Sequence, residues 1–165
     1  MKLSDGVEQA IHSVTMLAHL TPRGMLSAAA LAQFHGVSPS YLLKHLQALS
    51  SAGIVETMPG PKGGYRLGKS TADISLLDIV LAVEGRETAF RCNEIRQRGP
   101  NPLPGNPTKP CGIAVAMLKA ERAYRAELAR VSIAAIINGL QEADTSGAIA
   151  ARSCAFLEIN ERKPT

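Results

Sequence analysis

Apolar residues recur at three- and four-residue steps along the first part of the chain, which is the pattern of amphipathic helices. A first helix is predicted over about residues 5–19. A second begins after Ser27, whose hydroxyl can cap free backbone amides, and ends at Gly36. A third begins at Pro39, because proline lacks the N–H that the first helical position leaves unpaired. The second and third helices, joined by a glycine-containing turn, match a helix-turn-helix.

The pattern changes after the third helix and predicts a β-hairpin. Residues 54–57 are predicted as one strand, residues 59–64 as a turn rich in glycine and proline, and residues 65–67 as the returning strand. A hairpin in this position is the wing of a winged helix-turn-helix. Its tip carries Lys62 beside two glycines, so an ammonium group and backbone amides can approach phosphates without obstruction. A surface hairpin with a flexible tip is the alternative interpretation.

The second half of the chain predicts a loop followed by a long helix. A fourth helix, with Ser75 and Asp78 as its capping box, ends near Gly85. Five prolines then exclude regular structure from the second half of residues 86–110. The longest helix, about residues 112–130, has apolar residues close to a heptad repeat, and pairing with its copy in a homodimer would bury them. Packing on its own head is the alternative. This stripe consists of Ile113, Met117, Ala120, Tyr124, Leu128 and Val131.

These elements predict a mainly α-helical protein with a small β-wing, in which a winged helix-turn-helix head is followed by a long dimerisation helix. The head takes residues 1–85 and a candidate cofactor-binding loop takes residues 86–111. Dimerisation helices are expected over residues 112–140, and a flexible tail over residues 141–165. The chain beyond Lys163 is expected to be disordered.

Composition and charge narrow the class of protein. Of the 165 residues 45% are apolar and none is tryptophan, which favours a folded protein without a stacking surface for single strands. The formal net charge of +4 favours a polyanionic partner, although basic and acidic residues balance over residues 1–84. No signal peptide or long apolar run is present, which predicts a cytoplasmic protein without membrane contact. No catalytic motif is recognisable, so we expect no enzyme.

The start of the third helix is expected to reach base edges in the major groove of double-stranded DNA. Lys44 is the best candidate for a base contact. Nearby hydroxyls can contact bases or phosphates, and Ser38 can also cap the helix. The wing cations would bind phosphates or the minor groove. A winged-helix module for protein contacts is an alternative, but it does not need a basic, glycine-rich wing tip. The candidate DNA-binding residues are Ser38, Ser40, Tyr41, Lys44, Lys62 and Arg66.

Three motifs together resemble the Rrf2 family of winged-helix transcription regulators. They are Val37-Ser-Pro-Ser-Tyr-Leu42, the wing sequence Gly63-Gly-Tyr-Arg-Leu67, and Ile74-Ser-Leu-Leu-Asp-Ile-Val80 followed by Val83-Glu-Gly85. The resemblance covers about residues 1–140. It implies a homodimer that forms through the long helix and binds a palindromic operator. In several members the preceding loop supplies cysteines to an iron-sulfur cluster, commonly three that are closely spaced.

The same loop here holds only two cysteines, Cys92 and Cys111, with 18 residues between them. They resemble the pair found in a redox-sensing branch of the family, as do Glu8 and His12 in the first helix. The resemblance implies that the two cysteines of one subunit share a [2Fe-2S] cluster with Glu8 and His12 of the partner subunit. Such a cluster needs four protein ligands, and residues at i and i+4 share a helix face. Cys154 is interpreted as a bystander.

We therefore expect a transcription regulator whose affinity for its operator depends on the redox state of a [2Fe-2S] cluster. Zinc is the main alternative cofactor, because two thiolates, an imidazole and a carboxylate also suit tetrahedral Zn²⁺. A regulator without metal also stays open, since a Glu–His pair on a helix is commonly an exposed pair and a lone loop cysteine is commonly a free thiol.

Overall fold

A computed structural model describes residues 3–163 of the chain. They form a mainly helical fold with one small antiparallel sheet, as predicted. No helix within residues 3–163 combines the length and apolar character that crossing a bilayer requires. The helices are α1 (Asp5–Leu17), α2 (Ala28–His35), α3 (Pro39–Ser51), α4 (Leu76–Glu84), α5 (Gly112–Arg130), α6 (Ile133–Ala143) and α7 (Ala148–Asn160), and the strands are β1 (Val55–Met58) and β2 (Gly64–Leu67).

Local capping signals account for the ends of the helices in the head. The Ser27 hydroxyl accepts a hydrogen bond of 3.1 Å from the Ala30 amide at the start of α2. Gly36 ends that helix in the left-handed conformation, at φ 66°, which glycine adopts without steric cost. Ser75 and Asp78 form the predicted capping box of α4 through reciprocal bonds of 2.8 and 3.1 Å. The helix-turn-helix is therefore encoded locally.

The core of the head lies among α1, α2, α3 and α4. The wing joins it through Leu26, which pairs with Tyr65 of β2 by backbone hydrogen bonds of 3.0 and 2.7 Å. Leu43 is 38% exposed, because the adjacent Leu42 takes the buried position on α3. The largest side chains buried in this core include Leu26, Leu31, Leu42, Leu46, Leu49, Ile54, Ile74 and Ile79.

Helix α5 begins and ends at the predicted residues and has two different environments along its length. Near its start Ile113 is 67% and Met117 46% exposed. Tyr124 and Leu128, further along, are half-buried and face α4. The following turn returns to the head, where Ile133 of α6 is fully buried. The first half of the apolar stripe is thus exposed in a single chain, and the second half packs on the head.

The prediction of a flexible tail from residue 141 onward is wrong for residues 148–160, which form α7. Leu157 is 7% exposed in the core, and the Phe156 and Phe34 rings pack with their centroids 4.9 Å apart. This helix was not predicted from the sequence, because its apolar residues alternate with small and polar ones and do not fall on a single face. The disorder predicted beyond Lys163 concerns residues 164–165, which lie outside the described residues.

Candidate nucleic-acid interface and metal site

The first turns of α3 present a polar surface to solvent. Ser40 and Lys44 are exposed, and Tyr41 is 40% exposed. The side-chain cap predicted for Ser38 is absent from this described helix end, because its hydroxyl lies 3.1 Å from the Ser40 hydroxyl instead. The Tyr41 ring packs edge-on against His45, with the ring centroids 4.6 Å apart. These side chains can therefore contact a ligand without disturbing the core.

The two predicted wing cations differ in their surroundings. Arg66 donates hydrogen bonds from Nε and Nη2 to the Glu56 carboxylate, at 2.9 and 2.7 Å, across the two strands. Lys62 is exposed at the tip and forms no ion pair with any residue among 3–163. The charge of Arg66 is already balanced by a carboxylate, so Lys62 is the wing cation available to an anionic ligand.

Cys92 and Cys111 meet at the beginning of α5. Cys111 is the residue immediately before the helix, and the Cys92 thiol lies close enough to lower the pKa of Cys111. The Ala114 and Ile113 amides at the start of α5 lower the pKa of the Cys111 thiol, and the nearby Arg96 guanidinium acts in the same direction. The structure thus brings two predicted ligands near each other and, at Cys111, favours the thiolate form that a metal requires.

Hydrogen bonds connect the beginning and the end of the loop that lies between these cysteines. Arg96 pairs with Glu94 and donates a hydrogen bond of 3.2 Å to the Lys109 carbonyl, two residues before Cys111. The Gln97 side chain donates to the Gly105 carbonyl at 2.9 Å. These bonds join residues 96–97 to residues 105–109, which explains how cysteines far apart in sequence become neighbours.

The beginning of the loop is attached to α5 by a buried ion pair. Glu121 is 7% exposed, accepts a hydrogen bond of 3.0 Å from the Ala89 amide, and pairs with Arg125 at 2.7 Å. Arg125 also donates to the Glu87 carbonyl at 2.7 Å. Glu121 and Arg125 were not predicted, because an acidic and a basic residue four positions apart on a helix ordinarily indicate an exposed pair. Arg96 was not predicted because it lies in the loop before α5, where no periodic pattern reports its contacts.

Glu8 and His12 lie on α1 and line a cavity of about 980 Å³ formed by α1, α2, α6 and α7. The His12 ring centroid is 5.6 Å from that of His35. Burial is the main cause that lowers the His35 pKa to about 4. Cys154, predicted to be a bystander, also lines this cavity.

Within residues 3–163 no three His, Cys, Asp or Glu side chains form a group that could hold a metal ion. The four predicted ligands therefore do not meet in one chain. The donor chemistry nevertheless fits one half of a [2Fe-2S] site, because two neighbouring thiolates can bind one of its irons. The other two ligands would have to come from a second subunit.

An exposed recognition helix, a hairpin wing and a small helical core together define a winged helix-turn-helix protein. The chain belongs to the Rrf2 family, because the family model described as "Iron-dependent Transcriptional regulator" matches residues 3–139. Members of this family are DNA-binding transcription regulators and not enzymes, as predicted for this chain.

Similar proteins support the assignment. YffB of Lactococcus lactis, named as an HTH-type transcriptional regulator, is 36% identical over 141 residues, which cover 86% of this chain and 90% of YffB. IscR of Vibrio atlanticus is 31% identical over 93 residues, 56% of this chain and 54% of IscR. Among solved structures, T. potens IscR has a TM-score of 0.66 at 20% identity and covers 92% of this chain and 96% of its own. CymR of B. subtilis, described as the global cysteine regulator, has a TM-score of 0.64 at 21% identity and covers 84% and 97%. Likeness at such identity supports the fold alone.

Proposed function

We propose that this regulator is a homodimer whose affinity for a palindromic operator is controlled by the redox state of a [2Fe-2S] cluster. The observation that carries the proposal is the proximity of Cys92 to Cys111 at the start of α5, where both lie near the Arg96 guanidinium. Two thiolates are half of the four ligands that the cluster needs. Glu8 and His12, one turn apart on α1 of the partner subunit, would complete the set. When bound, the cluster would supply a one-electron redox centre.

The residues around the two sulfurs suit an anionic ligand set. Backbone amides in the first turn of α5 lower the pKa of Cys111, and the positive end of a helix dipole stabilises negative charge. The Arg96 guanidinium lies near both cysteines and adds a compensating positive charge. In this proposal these groups favour the thiolate form of Cys111, and the bond from Arg96 to the Lys109 carbonyl keeps the two cysteines adjacent.

Helix α1 provides a route from the proposed ligands to the DNA-binding surface. It carries Glu8 and His12 and packs directly on α3. The approach is close at Gly6, where a Cβ atom would overlap the His45 ring. His45 in turn contacts Tyr41 at the exposed start of α3. A change in how the partner's loop holds α1 would therefore shift α3, which is one established form of switching.

On the DNA side we assign Lys44 to a base contact and Lys62 to phosphates. Ser38, Ser40 and Tyr41 would contact bases or phosphates beside Lys44. Arg66 would contribute little while it is paired with Glu56. A base contact changes which sequence is preferred, whereas a phosphate contact weakens binding to every sequence and lowers the salt dependence.

The exposed start of α5 supports dimerisation through this helix. Ile113, Val115 and Met117 are 67%, 49% and 46% exposed in the single chain. Of these, Ile113 and Met117 lie one turn apart on the same face of the helix, where they form an exposed apolar strip suited to pairing with a second subunit. The same end of α5 carries Cys111, so a dimer formed here would place the partner subunit close to the cysteines.

The first test is metal and sulfide analysis with an optical spectrum after anaerobic purification. We expect visible absorption and equal amounts of iron and sulfide. Cys92→Ala and Cys111→Ala should lose both, whereas Cys154→Ala, a matched control elsewhere in the chain, should retain them. A colourless protein with stoichiometric zinc would contradict the cluster and support the zinc alternative.

The second test asks whether the site is shared between subunits. One subunit carries Cys92→Ala and Cys111→Ala, and the other carries Glu8→Ala and His12→Ala. Each variant alone should bind no cluster. A mixed dimer would contain one complete site, because the intact cysteines of one subunit face the intact Glu8 and His12 of the other. We expect about half of the wild-type iron, whereas a site within one chain would give none.

A further inference from the structure

The end of the described chain returns to the wing. Arg162 pairs with Met25 through two backbone hydrogen bonds of 2.9 Å. Its guanidinium also donates hydrogen bonds to the carbonyls of Pro61, at 3.2 Å, and Gly63, at 3.0 Å. These two carbonyls flank Lys62, the exposed cation of the wing tip. One side chain from the C-terminal segment, residues 161–163, thus holds both sides of the wing turn.

Independent contacts fix this segment on the head. The Glu161 carboxylate accepts hydrogen bonds from the Thr21 amide, at 2.8 Å, and from the Thr21 hydroxyl. Gly24 makes room for it, because a Cβ atom there would collide with the Glu161 carboxylate. Leu157 in the last turns of α7 is buried in the core. Arg162 therefore approaches the wing from an anchored position.

We propose that Arg162 is a positioning residue for DNA binding, which fixes the wing turn so that Lys62 meets the phosphates. The inference rests on the proposed role of Lys62 in DNA binding. Arg162 lies outside residues 3–139, the part that matches the family model. The family assignment therefore does not account for this contact.

The physical need for such a contact follows from the composition of the turn. Residues 59–64 contain three glycines, and Gly60 adopts a positive φ of 105°. Glycine gives the backbone many alternative conformations, so an unrestrained turn would lose entropy on binding DNA. Arg162 is exposed, so we expect its hydrogen bonds to shift such an equilibrium by about fivefold, within the usual net range for one hydrogen bond. Arg162 restrains the turn before DNA is present.

The first experiment measures the order of the wing without DNA. Trypsin cleaves after Lys62, and mass spectrometry gives the cleavage rate. We expect Arg162→Ala to be cut about fivefold faster than wild type, and Arg162→Lys, which keeps one cationic donor, to be intermediate. Lys163→Ala is the matched control, since it removes the same charge one residue away. Equal rates in Arg162→Ala and Lys163→Ala would overturn the inference, and thermal melting of each variant reports whether the fold is intact.

The second experiment is a double-mutant cycle in DNA affinity. If Arg162 acts through Lys62, Arg162→Ala should weaken binding about fivefold and should add almost nothing to Lys62→Ala. Additive losses would overturn the positioning role. If Lys62→Ala weakens binding but Arg162→Ala behaves like Lys163→Ala, the inference fails and the proposed wing contact stands. If Lys62→Ala leaves affinity unchanged, the proposed wing contact fails and the positioning role fails with it.

Discussion

The head and the loop that follows it are stabilised in different ways, although they adjoin in the chain. The head is closed by apolar contacts among four helices, and its large core side chains are almost fully buried. In the described loop of residues 86–111 no residue is buried, and a few polar bonds from Arg96, Gln97 and Glu121 hold it. Local stability differs within a fold, so one polar substitution should open the loop while the head stays folded.

The largest effect on stability should come from the core of the head. Leu46 on α3 is fully buried, so Leu46→Ala leaves a cavity that costs about 2 to 5 kcal/mol of unfolding free energy. Leu103→Ala in the loop removes the same atoms from a side chain that is 48% exposed, and should stay within about 0.5 kcal/mol of wild type. Urea unfolding measures both. Equal losses would show that the loop has a core of its own.

How well the sequence predicts each part of the fold depends on whether that part is determined by local signals or by distant contacts. In the head, Ser27, Gly36, Ser75 and Asp78 are local signals, and each acts within a few residues of itself. They place the helix ends correctly without knowledge of the rest of the chain. Helix α7 was missed because its stability depends on distant contacts, such as that of Phe156 with Phe34, and no local pattern reports them.

In the candidate site, too, some features follow from local sequence signals and others depend on distant contacts. The position of Cys111 immediately before α5 follows from the predicted start of that helix, but its proximity to Cys92 depends on the hydrogen bonds that close the loop. Nothing in the sequence indicates that Glu121 is buried or that Arg162 reaches the wing, since both residue types are ordinarily exposed. Whether Glu8 and His12 join the cysteines depends on a second subunit and stays a prediction.

Removing the ion pair between Glu121 and Arg125 should have a smaller effect on stability, and one confined to the loop. Glu121→Ala leaves the Ala89 amide and the Arg125 guanidinium without their acceptor, which costs about 1 to 3 kcal/mol. Trypsin should then cut after Arg91 faster, while the head resists cleavage. The control is Glu127→Ala on the same helix, whose side chain is 71% exposed and lies 3.8 Å from Arg130. An unchanged cleavage rate in Glu121→Ala would mean that other contacts hold the loop.

A still smaller effect on loop stability should follow from removing the hydrogen bonds by which Arg96 joins the two ends of the loop. Arg96→Ala removes the hydrogen bond to the Lys109 carbonyl and the pair with Glu94. Arg96 is partly exposed, so we expect about a threefold faster amide exchange over residues 94–110 and no change in α3. Arg98→Ala, an exposed neighbour of equal charge, is the control. If amide exchange rises equally in both variants, the effect comes from the lost positive charge and not from the lost hydrogen bonds of Arg96.

The smallest effect should appear with pH, and it belongs to the head. Burial is the main cause that lowers the pKa of His45, Lys44 acts in the same direction, and Glu84 opposes them. Around its ring lie Tyr41 on the same helix and Gly6 on α1, and its Nε2 is buried without a hydrogen-bond partner in the described part of the chain. A histidine pKa that is lower in the folded state stabilises the fold above the unfolded pKa of about 6.5, and that stability is lost as the pH falls below this value.

The test compares the unfolding free energy of wild type and His45→Gln between pH 8 and pH 5. Wild type should lose stability relative to the variant as the pH falls through this range, because its unfolded state takes up a proton that the folded state resists. Trypsin cleavage of the loop, normalised to a reference peptide, should not change relative to the variant over the same interval, since His45 contacts the head alone. Parallel pH profiles for the two proteins would contradict a lowered pKa of His45 in the folded state. A loop whose cleavage follows the pH loss would show that the head and the loop unfold together.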